Sequence, residues 1–132
     1  MSKIWPVERV LYSYMTNLGK LERLQRERAR IMSVHGMQME PNVGGAVVAP
    51  VERAFDELQR VDREIEETKI LTVPVTRLIR DLPDELLYLL DSHYFKRRGW
   101  GEVWRKKGWS RWAGWRRKKE LLRVAEEYLG PA

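Results

Sequence analysis

The sequence contains no cysteine, only two histidines and no long apolar segment. Without thiols the chain can form neither disulfides nor thiolate metal sites. His35 and His93 have no second ligand at metal-binding spacing, so the sequence predicts no metal site and no cofactor. Residues 1–6 lead directly into charged sequence, so neither a signal peptide nor a transmembrane span is expected. We expect a soluble cytoplasmic protein.

The sequence also has no stretch that alternates like a β-strand and no arrangement typical of an enzyme. Gly44 and Gly45 are not followed by the Lys-Ser/Thr pair of a phosphate-binding loop. The acidic cluster at residues 64–67 has no partner that would separate the pKa values of two catalytic carboxyls, so it is interpreted as an exposed face. We therefore predict an all-α protein that is not an enzyme.

Positive charge is concentrated in one segment, residues 96–119. It contains eleven basic residues and one acid, Glu102, giving a net charge of +10, while the rest of the chain carries −4. The basic residues are Lys96, Arg97, Arg98, Arg105, Lys106, Lys107, Arg111, Arg116, Arg117, Lys118 and Lys119. Such a block is typical of a polyanion-binding surface, since lysine and arginine displace counterions from phosphates. Five of the six tryptophans lie in the same segment.

The N-terminal half predicts two amphipathic helices. The first begins near Pro6, runs to about Met32 and has an apolar seam formed by Ile4, Val7, Leu11, Tyr14, Leu18, Leu21 and Gln25. The second begins at Pro50, extends towards Lys69 and has a seam formed by Val51, Ala54, Phe55, Leu58, Val61 and Ile65. Joined by a loop at about residues 33–49, they predict an antiparallel hairpin domain, residues 1–72. A homodimer through these helices is one candidate assembly.

The remaining residues, 73–132, predict a second module made of short helices. Pro74 is expected to break the chain before a short helix that ends at Arg80, and Asp81 is expected to cap the next helix. That helix is strongly apolar and is expected to end at Arg98–Gly99. Gly101 to Lys107 then predicts a short helix, Gly108 a turn, and Ser110 the cap of a last helix that reaches Leu129 before Gly130-Pro131.

This order is the layout of a helix-turn-helix, whose second helix enters the DNA major groove. Periodicity places Gly114, Leu121, Leu122, Ala125, Tyr128 and Leu129 on the inner side of that helix, with Trp115 at the edge. Trp112, Arg116, Lys119 and Arg123 point outward. The predicted DNA-binding residues are Ser110, Arg111, Trp112, Trp115, Arg116, Lys118, Lys119 and, on the preceding helix, Arg105 and Lys106. Trp100, Trp104 and Trp109 are predicted to be buried.

The run GEVWRKKGWSRWAGWRRKKELL, residues 101–122, resembles without gaps the helix-turn-helix of region 4 of bacterial sigma factors. Glu102, Val103, Gly108, Ser110, Arg111 and Leu122 match its acid, aliphatic residue, turn glycine, cap serine, arginine and distal leucine. The chain also has, in order, an N-terminal helix, a loop with Pro41-Asn42-Val43-Gly44-Gly45, a helix opened by Pro50-Val51-Glu52, a Leu-Pro-Asp-Glu helix that ends in His93-Tyr94-Phe95, and a Trp-x-Glu-Val run from Trp100. In this order and spacing, most of the chain resembles the ArpU/RinA-type family of phage late transcriptional regulators. The resemblance implies a phage or prophage protein, associated with the nucleoid of a bacterial host, that binds double-stranded DNA and regulates late genes.

The sequence departs from region 4 at four positions. Lys107, Gly114 and Arg117 stand where aliphatic residues are usual, and Trp104 stands where a small residue is usual. We expect Gly114 to let a neighbouring helix approach, with Trp104 or Trp109 filling the volume.

Three other functions fit part of the sequence. A small DNA-packaging subunit would share the basic segment, and a protein-interaction module would bind RNA polymerase through the N-terminal helices. Binding to a membrane surface by the Trp/Arg-rich segment is disfavoured, because the apolar and basic parts of the last helix are offset along its length.

Overall fold

The computed structural model describes residues 6–35 and 48–130, and in these ranges the chain is all-α, which confirms the predicted fold class. The elements are α1 (Pro6–His35), α2 (Val48–Asp81), α3 (Asp84–Leu89) continued by a π-helical segment (Leu90–Phe95), α4 (Trp100–Lys106) and α5 (Arg111–Leu129). The predicted loop was too long at both ends, because residues 33–35 and 48–49 are helical. Its centre, residues 36–47, lies outside the described residues, as do Ile4 and Pro131. No helix of the described ranges is long and apolar enough to span a membrane.

The chain forms two compact units, which divide it differently from the predicted domains. Unit 1 combines Met1–Thr16 with Leu71–Ala132, and unit 2 is Asn17–Ile70. The start of α1 therefore belongs with the C-terminal helices rather than with the rest of α1.

The core of unit 2 joins α1 to α2. Its buried side chains are Leu24, Ile31, Ala54, Val61 and Ile65, with Leu21 packed against them. Arg28 also pairs with Asp62 at 2.7 Å, and Arg60 with Glu27 at 2.9 Å. These ion pairs are exposed and add little stability, so the apolar contacts hold the two helices together.

Two predicted seam residues of unit 2, Gln25 and Phe55, are exposed instead of buried. Gln25 is exposed while its neighbour Leu24 is buried, because burying an amide without a partner costs more than burying an aliphatic chain. Phe55 is 54% exposed while Ala54 is buried, so the small residue faces α1 instead of the aromatic ring.

Unit 1 packs α3, the π-helical segment, α4 and α5 against one another around buried apolar side chains. Its fully buried side chains include Leu11, Leu78, Leu89, Leu90, Tyr94, Val103 and Leu121. On α5, Gly114, Leu121 and Ala125 are buried, while Leu122, Tyr128 and Leu129 are half-buried, so this is the inner side predicted from periodicity.

The predicted break at Val73-Pro74-Val75 is wrong, because α2 continues through Pro74 to Asp81. Proline inside a helix costs about 3 kcal/mol, since it removes a hydrogen bond and crowds the preceding turn. Thr72, Val75 and Leu78 are all buried on one side of this segment. Their burial offsets the local cost, which is why the helix persists.

Asp81 does not cap α3, contrary to prediction. It is the last residue of α2, and Pro83 occupies the N-cap position of α3 without a side-chain hydrogen bond. The Asp81 carboxylate instead accepts a hydrogen bond from the Tyr128 hydroxyl at 2.7 Å, near the end of α5. This bond is the main cause that lowers the pKa of Asp81, and a bond from Arg80 is the second. The same Tyr128–Asp81 bond raises the pKa of Tyr128.

The predicted end of the apolar helix at Arg98–Gly99 is also wrong, because the helical segment ends at Phe95 and Gly99 is the N-cap of α4. The chain turns at Arg97, which has a φ of 61°, unusual for a residue with a side chain. Its guanidinium donates to the Tyr12 carbonyl at 2.9 Å and lies 4.9 Å from the centre of the Tyr12 ring. These contacts compensate for the strained backbone.

Candidate nucleic-acid interface

The turn between α4 and α5 is fixed by backbone geometry. The Trp109 amide donates to the Trp104 carbonyl at 3.0 Å and the Gly108 amide to the Arg105 carbonyl at 3.1 Å, which together form a Schellman motif. Gly108 supplies the left-handed residue that this motif requires, with a φ of 67°. The turn glycine predicted from the sequence therefore has the expected conformation.

Ser110 begins α5 by capping it. Its hydroxyl accepts a hydrogen bond from the Ala113 amide at 3.1 Å, the contact that a helix N-cap makes with the third residue of the helix. The Ser110 side chain is exposed, but this bond engages its oxygen as an acceptor.

Trp104 and Gly114 bring α4 and α5 into close contact. A Cβ atom added to Gly114 would lie 2.3 Å from Cδ2 of the Trp104 indole and within 2.7 Å of two further ring atoms. Trp104 is 8% exposed and stacks on Trp100, with ring centroids 4.7 Å apart. The expected exchange, a large residue on α4 against a small one on α5, is confirmed for Trp104.

The other two departures from the region 4 pattern are accommodated by aromatic rings. The Arg117 guanidinium lies 4.3 Å from the centre of the Trp109 ring and donates to Glu85 at 3.3 Å. The Lys107 ammonium lies 4.6 Å from the centre of the Tyr88 ring. Cation–π contacts of this kind let both basic side chains cover apolar rings where an aliphatic residue would otherwise pack.

The outward face of α5 combines cations with exposed indoles. Trp112 is 65% exposed and Trp115 is 50% exposed. The Arg116 guanidinium lies 4.9 Å from the centre of the Trp112 ring, and the Lys119 ammonium lies 4.6 Å from that of Trp115. These four side chains line a groove of about 850 Å³, together with Lys118, Leu122, Arg123 and the acidic residues Glu8, Glu120 and Glu126.

The remaining predicted residues lie beside this face. Arg111 is exposed at the start of α5, and Lys118 is half-buried with its ammonium 5.2 Å from the centre of the Trp100 ring. Arg105 and Lys106 are exposed in the last turn of α4.

Two residues belong to this region that the predicted set did not include. Arg123 continues the series formed by Trp112, Arg116 and Lys119 at steps of four, three and four residues, a spacing visible in the sequence. Trp100, predicted to be buried, is only half-buried and lines a second cleft of α5.

Trp109, which was also predicted to be buried, is likewise half-buried. Nothing in the periodicity distinguishes these two tryptophans from Trp104.

A buried polar network lies behind the interface. The Tyr94 hydroxyl donates to the buried Glu8 carboxylate at 2.8 Å, and burial followed by this bond raises the pKa of Tyr94. The His93 ring bonds to the Tyr12 hydroxyl through Nε2 and to the Arg98 carbonyl through Nδ1 at 2.7 Å. Because a carbonyl only accepts, Nδ1 carries the proton and Nε2 accepts from Tyr12. Burial is the main cause that lowers the pKa of His93, which favours this neutral form.

Within the described ranges, no three acidic or histidine side chains are grouped so that they could hold a metal ion. Comparison with known proteins gives no match, because no family model, no curated protein and no solved structure matches the chain.

Proposed function

We propose that the protein binds double-stranded DNA through α5 and regulates transcription at specific sequences. The observation that carries this proposal is the outward face of α5, where exposed cations alternate with exposed indoles. Indoles of this size are usually buried in a small helical protein, and Trp112 is instead 65% exposed. A helix face that only contacts water is stabilised by charged side chains, and two exposed indoles there bury no apolar surface. A binding surface uses the cations and the indoles together.

The dimensions of α5 suit a DNA groove. Its 19 residues give a length of about 28 Å, and the major groove, about 12 Å wide, admits a helix. Arg111, Trp112 and Arg116 lie in its N-terminal half, the part that meets base edges in helix-turn-helix proteins. Arginine can bond two acceptors of guanine at once, and an indole can pack on the methyl group of thymine.

The neighbouring cations fit contacts with phosphate. Arg105 and Lys106 end α4, which corresponds to the helix that crosses the DNA backbone in this layout. Lys118 and Lys119 lie farther along α5. Contacts with phosphate position the protein on the duplex without reading the sequence.

The regulatory role rests on the resemblance of residues 101–122 to sigma-factor region 4 and of the longer chain to phage late regulators. Under this proposal the protein acts near promoters of phage or prophage late genes, on the nucleoid of a bacterial cell. RNA polymerase and a second copy of the chain stay predicted partners.

Duplex binding can be tested by fluorescence anisotropy with labelled random duplex DNA over a series of salt concentrations. We expect the affinity to fall steeply with salt, with a log–log slope of about −0.9 for each phosphate contacted. The double variant Arg116→Gln/Lys119→Gln is compared with Arg23→Gln/Arg26→Gln, which removes the same charge from exposed positions on α1 in unit 2. The α5 variant should lose about tenfold or more in affinity, while the α1 variant stays close to wild type. Equal losses would mean that net charge alone attracts DNA.

A further inference from the structure

A second cleft lies between α4 and α5, beside the outward face. It measures about 550 Å³, within the size range of small-molecule sites. We call it the indole cleft, and its lining consists of Trp100, Trp104, Arg111, Trp112, Trp115 and Lys118. Four indoles and two cations therefore surround this space, and four of the six, Arg111, Trp112, Trp115 and Lys118, also belong to the proposed DNA-binding set.

One wall of the indole cleft is rigid. Trp100 stacks between His93, at a centroid distance of 3.6 Å, and Trp104, at 4.7 Å. Trp104 is also held against Gly114, where no Cβ atom fits. Because His93 and Trp104 cover the two faces of Trp100, this wall offers a ligand fixed ring edges, and a stacked base must lie on the indoles opposite. The fixed wall lowers the entropy lost on binding.

The opposite wall offers exposed aromatic surface. Trp112 and Trp115 are at least half exposed, and each has a cation, Arg116 or Lys119, on its ring. A planar group that enters the cleft can contact these indoles without displacing anything from the core.

The charge of the lining selects the ligand. An ammonium ligand does not fit the cleft, although aromatic cages bind such groups through their ring faces. Arg111 and Lys118 in the lining would repel a cationic ligand. A planar aromatic group attached to an anion fits both features. A nucleobase with its phosphate is such a group, and stacking on aromatic side chains is how proteins hold unpaired bases.

We propose that the indole cleft binds one unstacked nucleobase of DNA, with Lys118 contacting the adjacent phosphate. This inference rests on the proposed function, because DNA binding by α5 supplies the strand from which the base comes. It adds a preference that duplex binding alone lacks, for DNA with an unpaired or locally opened base.

The test compares three DNA probes by anisotropy: a short paired duplex, the same duplex with one unpaired thymine bulge, and a short oligothymidylate. Wild-type protein should bind the bulged duplex about five- to a hundredfold more tightly than the paired one. Trp115→Leu should abolish this ratio, and Trp115→Phe, which keeps an aromatic ring, should retain part of it. Arg123→Gln is the matched control, since it is exposed on α5 but does not line the cleft, and it should lower both affinities equally.

The outcomes separate this inference from the proposed function. Equal binding of paired and bulged duplex by the wild type overturns the cleft site and leaves duplex binding intact. Binding of oligothymidylate without duplex binding supports the cleft and overturns the groove-docking proposal. Failure with all three probes overturns both. Tighter binding of an acidic, tryptophan-containing peptide than of oligothymidylate would assign the cleft to a protein partner and overturn the nucleobase site.

Discussion

The contact between Trp104 and Gly114 predicts opposite effects of Gly114→Ala on stability. The substitution should destabilise the protein when Trp104 is present and stabilise it when Trp104 is replaced by alanine. Gly114→Ala places a methyl group 2.3 to 2.7 Å from three atoms of the Trp104 indole. The indole cannot move away cheaply, because it is nearly buried and stacked on Trp100. Overpacking of this kind costs about 1–3 kcal/mol, and in this context it should outweigh the gain of about 1 kcal/mol that alanine brings to a helix interior.

Removing the indole reverses the balance. Trp104→Ala alone should destabilise the protein by about 3–5 kcal/mol, the usual cost of truncating a buried tryptophan. In that background the methyl group of Gly114→Ala enters empty space, so the second substitution should stabilise the protein by about 1 kcal/mol through helix propensity. The two residues should therefore be coupled by about 1–3 kcal/mol, which is the overpacking cost and lies within the range for residues in contact.

The coupling is measured by urea unfolding of the wild type, both single variants and the double variant, followed by far-UV circular dichroism. Tryptophan fluorescence is unsuitable, because Trp104 itself is changed. Gly114→Ala with the same effect in both backgrounds would refute the close packing of α4 on α5. Gly19→Ala, on an exposed part of α1 with nothing within 4 Å, is the control and should stabilise the protein in both backgrounds.

Three further predictions follow from single contacts. Ser110→Ala removes the N-cap of α5 and should lower the free energy of unfolding by about 1 kcal/mol, with Ser110→Asp restoring it, as measured by urea unfolding. The pKa of His93 in the folded protein lies below 6.5, so the unfolded chain takes up a proton first as the pH falls. The contribution of His93 to the free energy of unfolding should therefore be fully present above about pH 6.5 and should be lost as the pH decreases through 6.5 towards the folded pKa. His93→Gln should flatten that part of the profile of urea midpoint against pH, and an unchanged slope would mean that another group causes it. Arg111→Ala and Arg116→Ala should weaken binding to a preferred sequence by about 1–3 kcal/mol, because these residues are assigned to bases. Lys118→Ala and Lys119→Ala should weaken binding to all sequences alike, because they are assigned to phosphates. The same effect of all four substitutions on preferred and random duplex DNA would contradict this assignment.

The sequence was most informative where a local pattern and its tertiary role coincide. Gly108 and Ser110 act through backbone geometry that needs only a few neighbouring residues, and both adopt the predicted roles. The outward face of α5 follows from helical periodicity in the same way, so the exposure of Trp112 was accessible from sequence.

Predictions failed where distant residues decide the local structure. Pro74 is a helix breaker by itself, but burial of Thr72, Val75 and Leu78 keeps α2 continuous around it. Asp81 has the composition of a helix cap, yet Tyr128, 47 residues away in sequence, accounts for its contact.

The same reason explains the indole cleft. The grouping of Trp100 with Trp112 and Trp115 depends on how α4 packs on α5, and that packing depends on one glycine at position 114. The sequence shows a cluster of tryptophans, but it does not show that Trp100 and Trp109 stay half-buried while Trp104 is buried.

The central claim, that α5 reads double-stranded DNA, is tested most directly by selecting bound sequences from random duplex DNA at physiological salt. We expect the wild type to enrich a defined motif and Arg111→Ala/Arg116→Ala to lose it while keeping weak, salt-sensitive binding. No enrichment by the wild type, or the same motif enriched by the double variant, would contradict the claim.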